Sequence, residues 1–236
     1  VAKYSGTAIA ERQDLHKNPE LSNRETRTGE LVAKRLKALG IEVQSGVAHT
    51  GVVGILKGGK PGRTIAIRAD MDALPVTEEV DLPFASKAQG EYRGKSTGVM
   101  HACGHDTHTA MLLGLATVLA GMRQELSGEV MFLFQPAEEG APAGEQGGAP
   151  LMLQEGVFRD FAPDAMFAMH VISTLNAGTV AVRPGPALSG ADGFKLVVHG
   201  RQTHGAMPWH GVDPIVTAAQ IVTQAQTIVS RRLDIG

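Results

Sequence analysis

Apolar positions along this chain switch between two spacings. From residue 7 to 40 the pattern is helical: Leu31, Val32, Leu36 and Leu39 recur at intervals of three and four, and Gly40 follows as a stop. Inside that stretch, His16-Lys17-Asn18-Pro19-Glu20-Leu21-Ser22 forms a break centred on proline. Two strand-like runs follow, Val52–Leu56 and Thr64–Arg68, joined by the turn Gly58-Gly59-Lys60-Pro61-Gly62. A long loop is expected from about 71 to 104, and loops of that length in compact domains are usually functional or disordered. Met111, Leu112, Leu115, Val118 and Leu119 predict a helix over 106–121. A near-continuous apolar strand, Val130–Phe134, leads into a Gly/Glu-rich loop at 135–147 and a short helix at 148–155. Ala165–Met169 and Thr179–Val182 read as further strands.

Strands alternating with helices argue for an α/β fold with a doubly wound, mostly parallel sheet. Continuous apolar strands imply that both sheet faces are covered. Pro184-Gly185-Pro186 reads as a hinge, after which the pattern changes. Phe194–Val198 predicts a strand and Pro214–Arg231 an amphipathic helix, so residues 1–185 are expected to form one domain and 186–236 the beginning of another.

Composition narrows the function classes. With 43% apolar and 19% charged residues the chain can build a packed core. A net charge of −2 offers no basic surface for nucleic acid. One cysteine excludes an intrachain disulfide. No apolar run approaches the ~20 residues that span a bilayer, and the expectation is a cytoplasmic protein without membrane partners.

Three chemical clusters lie just after predicted strands, the edge at which open α/β sheets bind ligands. The first, Arg68-Ala69-Asp70-Met71-Asp72, is weak alone, since aspartates at such positions commonly cap turns. The second, His101-Ala102-Cys103-Gly104-His105-Asp106-Thr107-His108, is much stronger. A thiolate and an imidazole separated by one glycine can reach a single metal, and zinc takes such ligands at ~2.3 and ~2.0 Å. A nucleophilic cysteine with a histidine base is the rival reading. The third is Gln135-Pro136-Ala137-Glu138-Glu139-Gly140, where one carboxylate could bind metal and the other accept a proton. His170 closes the strand Ala165–Met169 and shares the edge.

At these residues the sequence resembles the M20 metallopeptidase family, more narrowly its amidohydrolase branch of hippurate hydrolases, indole-3-acetyl-amino-acid hydrolases and N-acetyl-diaminopimelate deacetylases. The resemblance is carried by Leu15–Ser22, Arg68–Pro75, Met100–Asp106, Gln135–Gly140, His204-Gly205-Ala206-Met207-Pro208 and Gly211–Pro214, in the family's order. It implies a zinc-exopeptidase-like catalytic domain with an inserted α+β lid that dimerises. It implies two divalent metal ions, zinc or manganese first, with nickel or cobalt also compatible. Cys103, His105, Glu139 and His170 match metal ligands, Glu138 the general base, and Asp72 an acidic residue that orients the site. His204 matches a lid histidine that polarises the substrate carbonyl in the active site of the partner subunit.

The reaction so implied is hydrolysis of the amide bond of N-acyl or N-aroyl amino acids, hippurate-like, by a homodimer. His49, His108, His199 and His210 carry no role in this scheme and are assigned to structure or surface. The family's chain continues through the lid and returns with one more ligand histidine, so a chain ending at Gly236 is expected to hold a truncated lid and an incomplete ligand set. The segment Gly140–Gly148 is longer than the family's usual loop and is expected to reshape the site's rim or be disordered. Two alternatives stay open: a hydrolase with Cys103 as nucleophile, and a fragment that binds metal or substrate without turnover.

Overall fold

The structure is a computed structural model that describes residues 2–185 and 193–232. It divides into two compact units, Val1–Ala177 and Gly178–Gly236. Pro186 of the expected hinge lies outside the described residues.

The first unit opens with two helices, α1 (Ala2–Lys17) and α2 (Thr26–Ala38). Helix α2 buries Val32, Ala33 and Leu36 and stops where Gly40 takes φ +67°. There Gly40 N–H donates to Lys37 O at 2.9 Å and Ile41 N–H to Leu36 O at 3.1 Å. This satisfies the helix's last carbonyls and packs Ile41 beside Leu36.

Strands β1 (Glu42–Val47), β2 (Gly51–Lys57) and β3 (Lys60–Asp70) follow, then β4 (Gln89–Tyr92) and β5 (Lys95–Gly98). Next come α3 (His105–Gly121), β6 (Ser127–Gln135), α4 (Gly148–Gln154) and β7 (Ala165–Ala168). The main sheet runs β1-β2-β6-β3-β7. Strands β6, β3 and β7 are parallel to one another, while β1 and β2 are added antiparallel.

Strand β6 explains the continuous apolar run. Phe132 and Phe134 pack with Val32, Leu36, Leu112 and Leu113 on the side of α2 and α3. Met131 and Leu133 pack with Met152 of α4 and with Phe158 on the other. Both faces are covered, so no polar alternation survives in the sequence.

Several expectations change. The stretch 71–104 is not one loop, because β4 and β5 pair as a hairpin. Its two-residue turn, Arg93-Gly94, has positive φ at both positions (53° and 74°), which suits the twist of the flanking strands. Strand β1 also went unread in the sequence, because it carries one buried residue in six. The expected strands Thr179–Val182 and Phe194–Val198 are not strands here. Val182 and Phe194 stay 89% and 88% exposed, and no strand ladder includes these runs among the described residues. A strand needs a neighbour to exchange hydrogen bonds with, whatever its sequence.

In the second unit α5 (Pro214–Arg232) starts cleanly. The Asp213 carboxylate accepts N–H bonds from Ile215 at 2.8 Å and Val216 at 3.2 Å, with Pro214 at the first helical position. No described helix is long and apolar enough to cross a membrane.

Candidate metal centre

The three parallel strands end together: Asp70 closes β3 opposite Gln135, which closes β6, and β7 ends two residues before His170. The loops leaving these ends converge with the start of α3. Gly104, with φ +92°, turns the chain between Cys103 and His105, and a Cβ there would collide with Val171 Cγ2. Only glycine fits this turn, which lets both donors face one side.

His105 is the hub and is fully buried. Its Nδ1–H donates to Asp72 Oδ1 at 3.2 Å, which leaves Nε2 with a free lone pair. That Nε2 has no hydrogen-bond partner. Around it stand carboxylate oxygens of Asp70 at 3.7 Å, Glu139 at 3.8 Å and Glu138 at 3.9 Å, too far to hydrogen-bond. His170 shows the same logic: Nδ1–H donates to Val171 O at 2.7 Å, and Nε2 lies 3.4 Å from Cys103 Sγ.

Among the described residues three groups of donors each have their ligand atoms within 4.8 Å of one another: Cys103, His105 and His170; His105, Glu138 and Glu139; and Asp70, His105 and His108. An orphaned, buried ring nitrogen ringed by carboxylates, a thiol and a second imidazole fits a divalent cation. Among the described residues four acidic groups face His105, and Arg68 brings a permanent positive charge, bonded to Asp70 at 2.7 Å and 3.9 Å from Glu138.

The electrostatics agree with that fit. Burial pushes Asp70 up, but the hydrogen bond from His108 and the charges of His105 and Arg68 hold it down at about 2. Burial likewise raises Asp72, and its bonds from His105, Ser22 and the Glu139 N–H outweigh that to keep it below the ordinary value. Glu138 is raised, by burial and then by Asp70. Burial, with Glu139, Glu138 and Asp70 behind it, pushes the Cys103 thiol up to about 12.

Asp72, Cys103, His105, Glu138, Glu139 and His170 thus share one site in the first unit. His204 lies in the second unit, exposed, with its Nδ1 accepting the Ala206 N–H at 3.1 Å. Sequence reading gave His108 no chemical role. It is buried, donates from Nδ1 to Asp70 at 2.5 Å, and accepts the Val171 N–H at Nε2 at 2.9 Å. Its signal was the spacing from His105, which places both rings on one helix face.

The fold and this donor cluster define a metallohydrolase-type site on an α/β scaffold. The family model described as Peptidase family M20/M25/M40 matches residues 66–234, and the chain belongs to that family. It is 47% identical over 224 residues to thermostable carboxypeptidase 2 of Saccharolobus solfataricus, covering 94% of this chain and 54% of the relative. It is 44% identical over 226 residues to the N-acyl-L-amino acid amidohydrolase of Geobacillus stearothermophilus, covering 96% and 57%. Among solved structures it matches the Bacillus subtilis YXEP protein, a dinuclear metal binding peptidase from the M20 family. That match has a TM-score of 0.68 and 42% identity over 79% of this chain and 48% of the other. The chain spans about half the length of the curated relatives it matches.

Proposed function

We propose that the protein is a metal-dependent amidohydrolase that cleaves N-acyl or N-aroyl amino acids into a carboxylic acid and an amino acid. The observation that carries this reading is the unpartnered, buried Nε2 of His105 among the donors of Cys103, His170 and Glu139, with Glu138 beside it. Cys103, His105, Glu139 and His170 would hold two divalent ions, zinc or manganese first. Bound there, the ions supply Lewis acidity toward the amide carbonyl and the attacking water.

The protein's own groups do the rest. Glu138 is the general base. Its side chain is 38% exposed, so water reaches it, and its raised pKa suits a group that must both take and return a proton. Glu138 takes the proton of the attacking water and delivers it to the leaving amine. Asp72 holds His105 in the tautomer with Nε2 free. His204, in the lid that residues 186–236 begin, polarises the substrate carbonyl in the partner subunit's active site, while residues 1–185 belong to the catalytic domain.

A Cys103 nucleophile is disfavoured by the site's charge. Reactive thiols sit in electropositive surroundings that lower their pKa, whereas burial and three carboxylates push this one up to about 12. The amidohydrolase named among the relatives makes N-acyl amino acids the natural panel, with N-benzoylglycine first. The test is hydrolysis by the metal-loaded protein, with and without chelator, beside Glu138→Ala. Chelator-sensitive turnover that drops by about 10²–10⁴ in the variant is expected. Turnover indifferent to chelator and to Glu138 would overturn the reading.

A further inference from the structure

The break His16–Ser22 stands out in the sequence, yet the mechanism above leaves it, and the three residues that follow it, without a task. In the structure four consecutive residues, Ser22 to Glu25, all reach the loop that carries Glu138 and Glu139 or its support. Ser22 Oγ–H donates to Asp72 Oδ2 at 2.7 Å, the same oxygen that accepts the Glu139 N–H at 3.0 Å. Asn23 Nδ2 donates to Gln146 O at 2.9 Å and to Glu145 Oε2 at 3.0 Å. Arg24 grips the Glu145 carboxylate through two nitrogens, at 2.5 and 3.0 Å. Glu25 Oε1 accepts the Ala137 N–H at 2.8 Å, and Glu25 Oε2 accepts the Thr50 hydroxyl at 2.5 Å.

Two features single out Glu25. It is fully buried although it stands at the start of α2, where a side chain would ordinarily cap the helix. Glu20 does the capping instead, its two oxygens accepting the N–H groups of Arg27 at 3.0 Å and Thr28 at 2.8 Å. The Glu25 carboxylate is thereby free to reach the loop. The N–H it receives belongs to Ala137, whose φ is +48°, a left-handed conformation rare for a residue with a side chain. Adjacent residues in extended backbone point to opposite sides. Glu138 and Glu139 nevertheless both bring an oxygen within 4 Å of His105 Nε2. Both lie in the tight turn that follows Ala137, where Gly140 N–H donates to Ala137 O at 3.4 Å, and the left-handed Ala137 leads the chain out of β6 into that turn.

We infer that Ser22–Glu25 is a clasp that positions the paired glutamates, with Glu25 holding Ala137 in the left-handed conformation that leads into the turn carrying Glu138 and Glu139. Glu25 is a positioning residue and touches no reacting atom. The inference rests on the metal-site reading above, and its test separates the two.

Zinc titration calorimetry on the metal-free protein, thermal midpoints, and kcat and KM on N-benzoylglycine are measured for wild type, Glu25→Ala, Glu25→Asp, Glu25→Gln and Leu36→Ala. Glu25→Asp keeps the charge but withdraws the carboxylate by about 1.5 Å, one C–C bond. Glu25→Gln keeps a carbonyl acceptor for Ala137. Leu36 is a core residue on α2 that serves as a control for plain destabilisation. Expected are zinc affinity and kcat roughly 10–100-fold lower in Glu25→Ala and Glu25→Asp, at KM within about twofold of wild type. Glu25→Gln recovers most of both, and Leu36→Ala lowers the midpoint while leaving zinc affinity and kcat in place. If Glu25→Ala does not fold, Glu25→Asp decides. Wild-type zinc affinity in Glu25→Asp, or losses that simply track the midpoint as in Leu36→Ala, would overturn the inference. A wild-type protein that binds zinc but hydrolyses nothing would sink the amidohydrolase reading alone, since the zinc titration judges the clasp independently.

Discussion

Asp72→Asn exchanges one carboxylate oxygen for an amide nitrogen in a buried side chain, where three contacts dictate the outcome. The carboxylate accepts Ser22 Oγ–H at 2.7 Å and Glu139 N–H at 3.0 Å on Oδ2, and His105 Nδ1–H at 3.2 Å on Oδ1. Asparagine offers one carbonyl and one amide group. If the carbonyl keeps Ser22 and Glu139, the NH₂ faces His105 Nδ1, which must then accept. The ring proton moves to Nε2, the atom at the centre of the donor cluster, and that nitrogen can no longer bind a cation. If the carbonyl turns to His105 instead, the Glu139 N–H meets an NH₂ and loses its partner, which costs about 1–3 kcal/mol. Either way a hydrogen bond to a charged acceptor is lost, roughly 1.5–3 kcal/mol of stability. Removing such a partner behind a metal-binding histidine costs about 10–100-fold in affinity, or ~1.4–2.7 kcal/mol. Zinc calorimetry and urea denaturation of the metal-free variant measure the two losses separately. Zinc affinity within twofold of wild type would refute the argument that Asp72 sets the His105 tautomer.

Other outcomes rest on the same kind of contact. His16 is raised, by its 2.7 Å bond to Asp106 against burial and with Glu78 at 3.1 Å, so its stabilisation is complete below its ordinary pKa of 6.5 and fades as pH rises through the higher folded value. Asp106 and Glu78, lowered from 3.8 and 4.5 by bonds that outweigh burial, contribute above those values and are lost as pH falls through the folded ones, so urea midpoints should peak between pH 4.5 and 6.5 and His16→Gln should flatten the alkaline fall. Phe132→Ala empties the centre of β6 and should cost about 3–5 kcal/mol by the same denaturation assay. Gly29→Ala should destabilise by about 1–3 kcal/mol, because its Cβ would meet Thr50 O at 2.5 Å; a stabilised variant would mean helix propensity outweighs that clash. Zinc binding near pH 7 should release close to one proton from Cys103, whose thiol is pushed up to about 12, read as a dependence of calorimetric heat on buffer ionisation enthalpy.

What the sequence disclosed depended on how local each signal was. Helix α2 was legible because its apolar stripe and Gly40 stop lie within one short window. Strand β6 was legible because burial on both faces leaves an unbroken apolar run. Cys103 and His105 were legible because one glycine separates them. The hairpin of β4 and β5 escaped because four-residue polar strands carry no alternation, and only the Arg93-Gly94 turn announces them. Glu25 and His108 escaped for a different reason. Their chemistry is defined by partners far along the chain, Ala137 at 112 residues and Asp70 at 38, and no local pattern marks a side chain whose partner is remote.

The mixed direction of the sheet is what lets support and site meet. Parallel β3, β6 and β7 deliver their carboxyl ends to one edge, which places Asp70, Gln135 and the approach to His170 together. Strand β2 runs antiparallel to β6, with Val52 opposite Phe134, so its beginning lies at that same edge. A parallel β2 would have put Thr50 at the far end of the sheet. As it is, Thr50 reaches Glu25, and a Cβ on Gly51 would meet Pro136 Cδ at 2.9 Å, so the start of β2 abuts the root of the glutamate loop. The antiparallel pair therefore belongs to the site's architecture: it carries no ligand, but it backs the carboxylate that holds Ala137 in its left-handed turn.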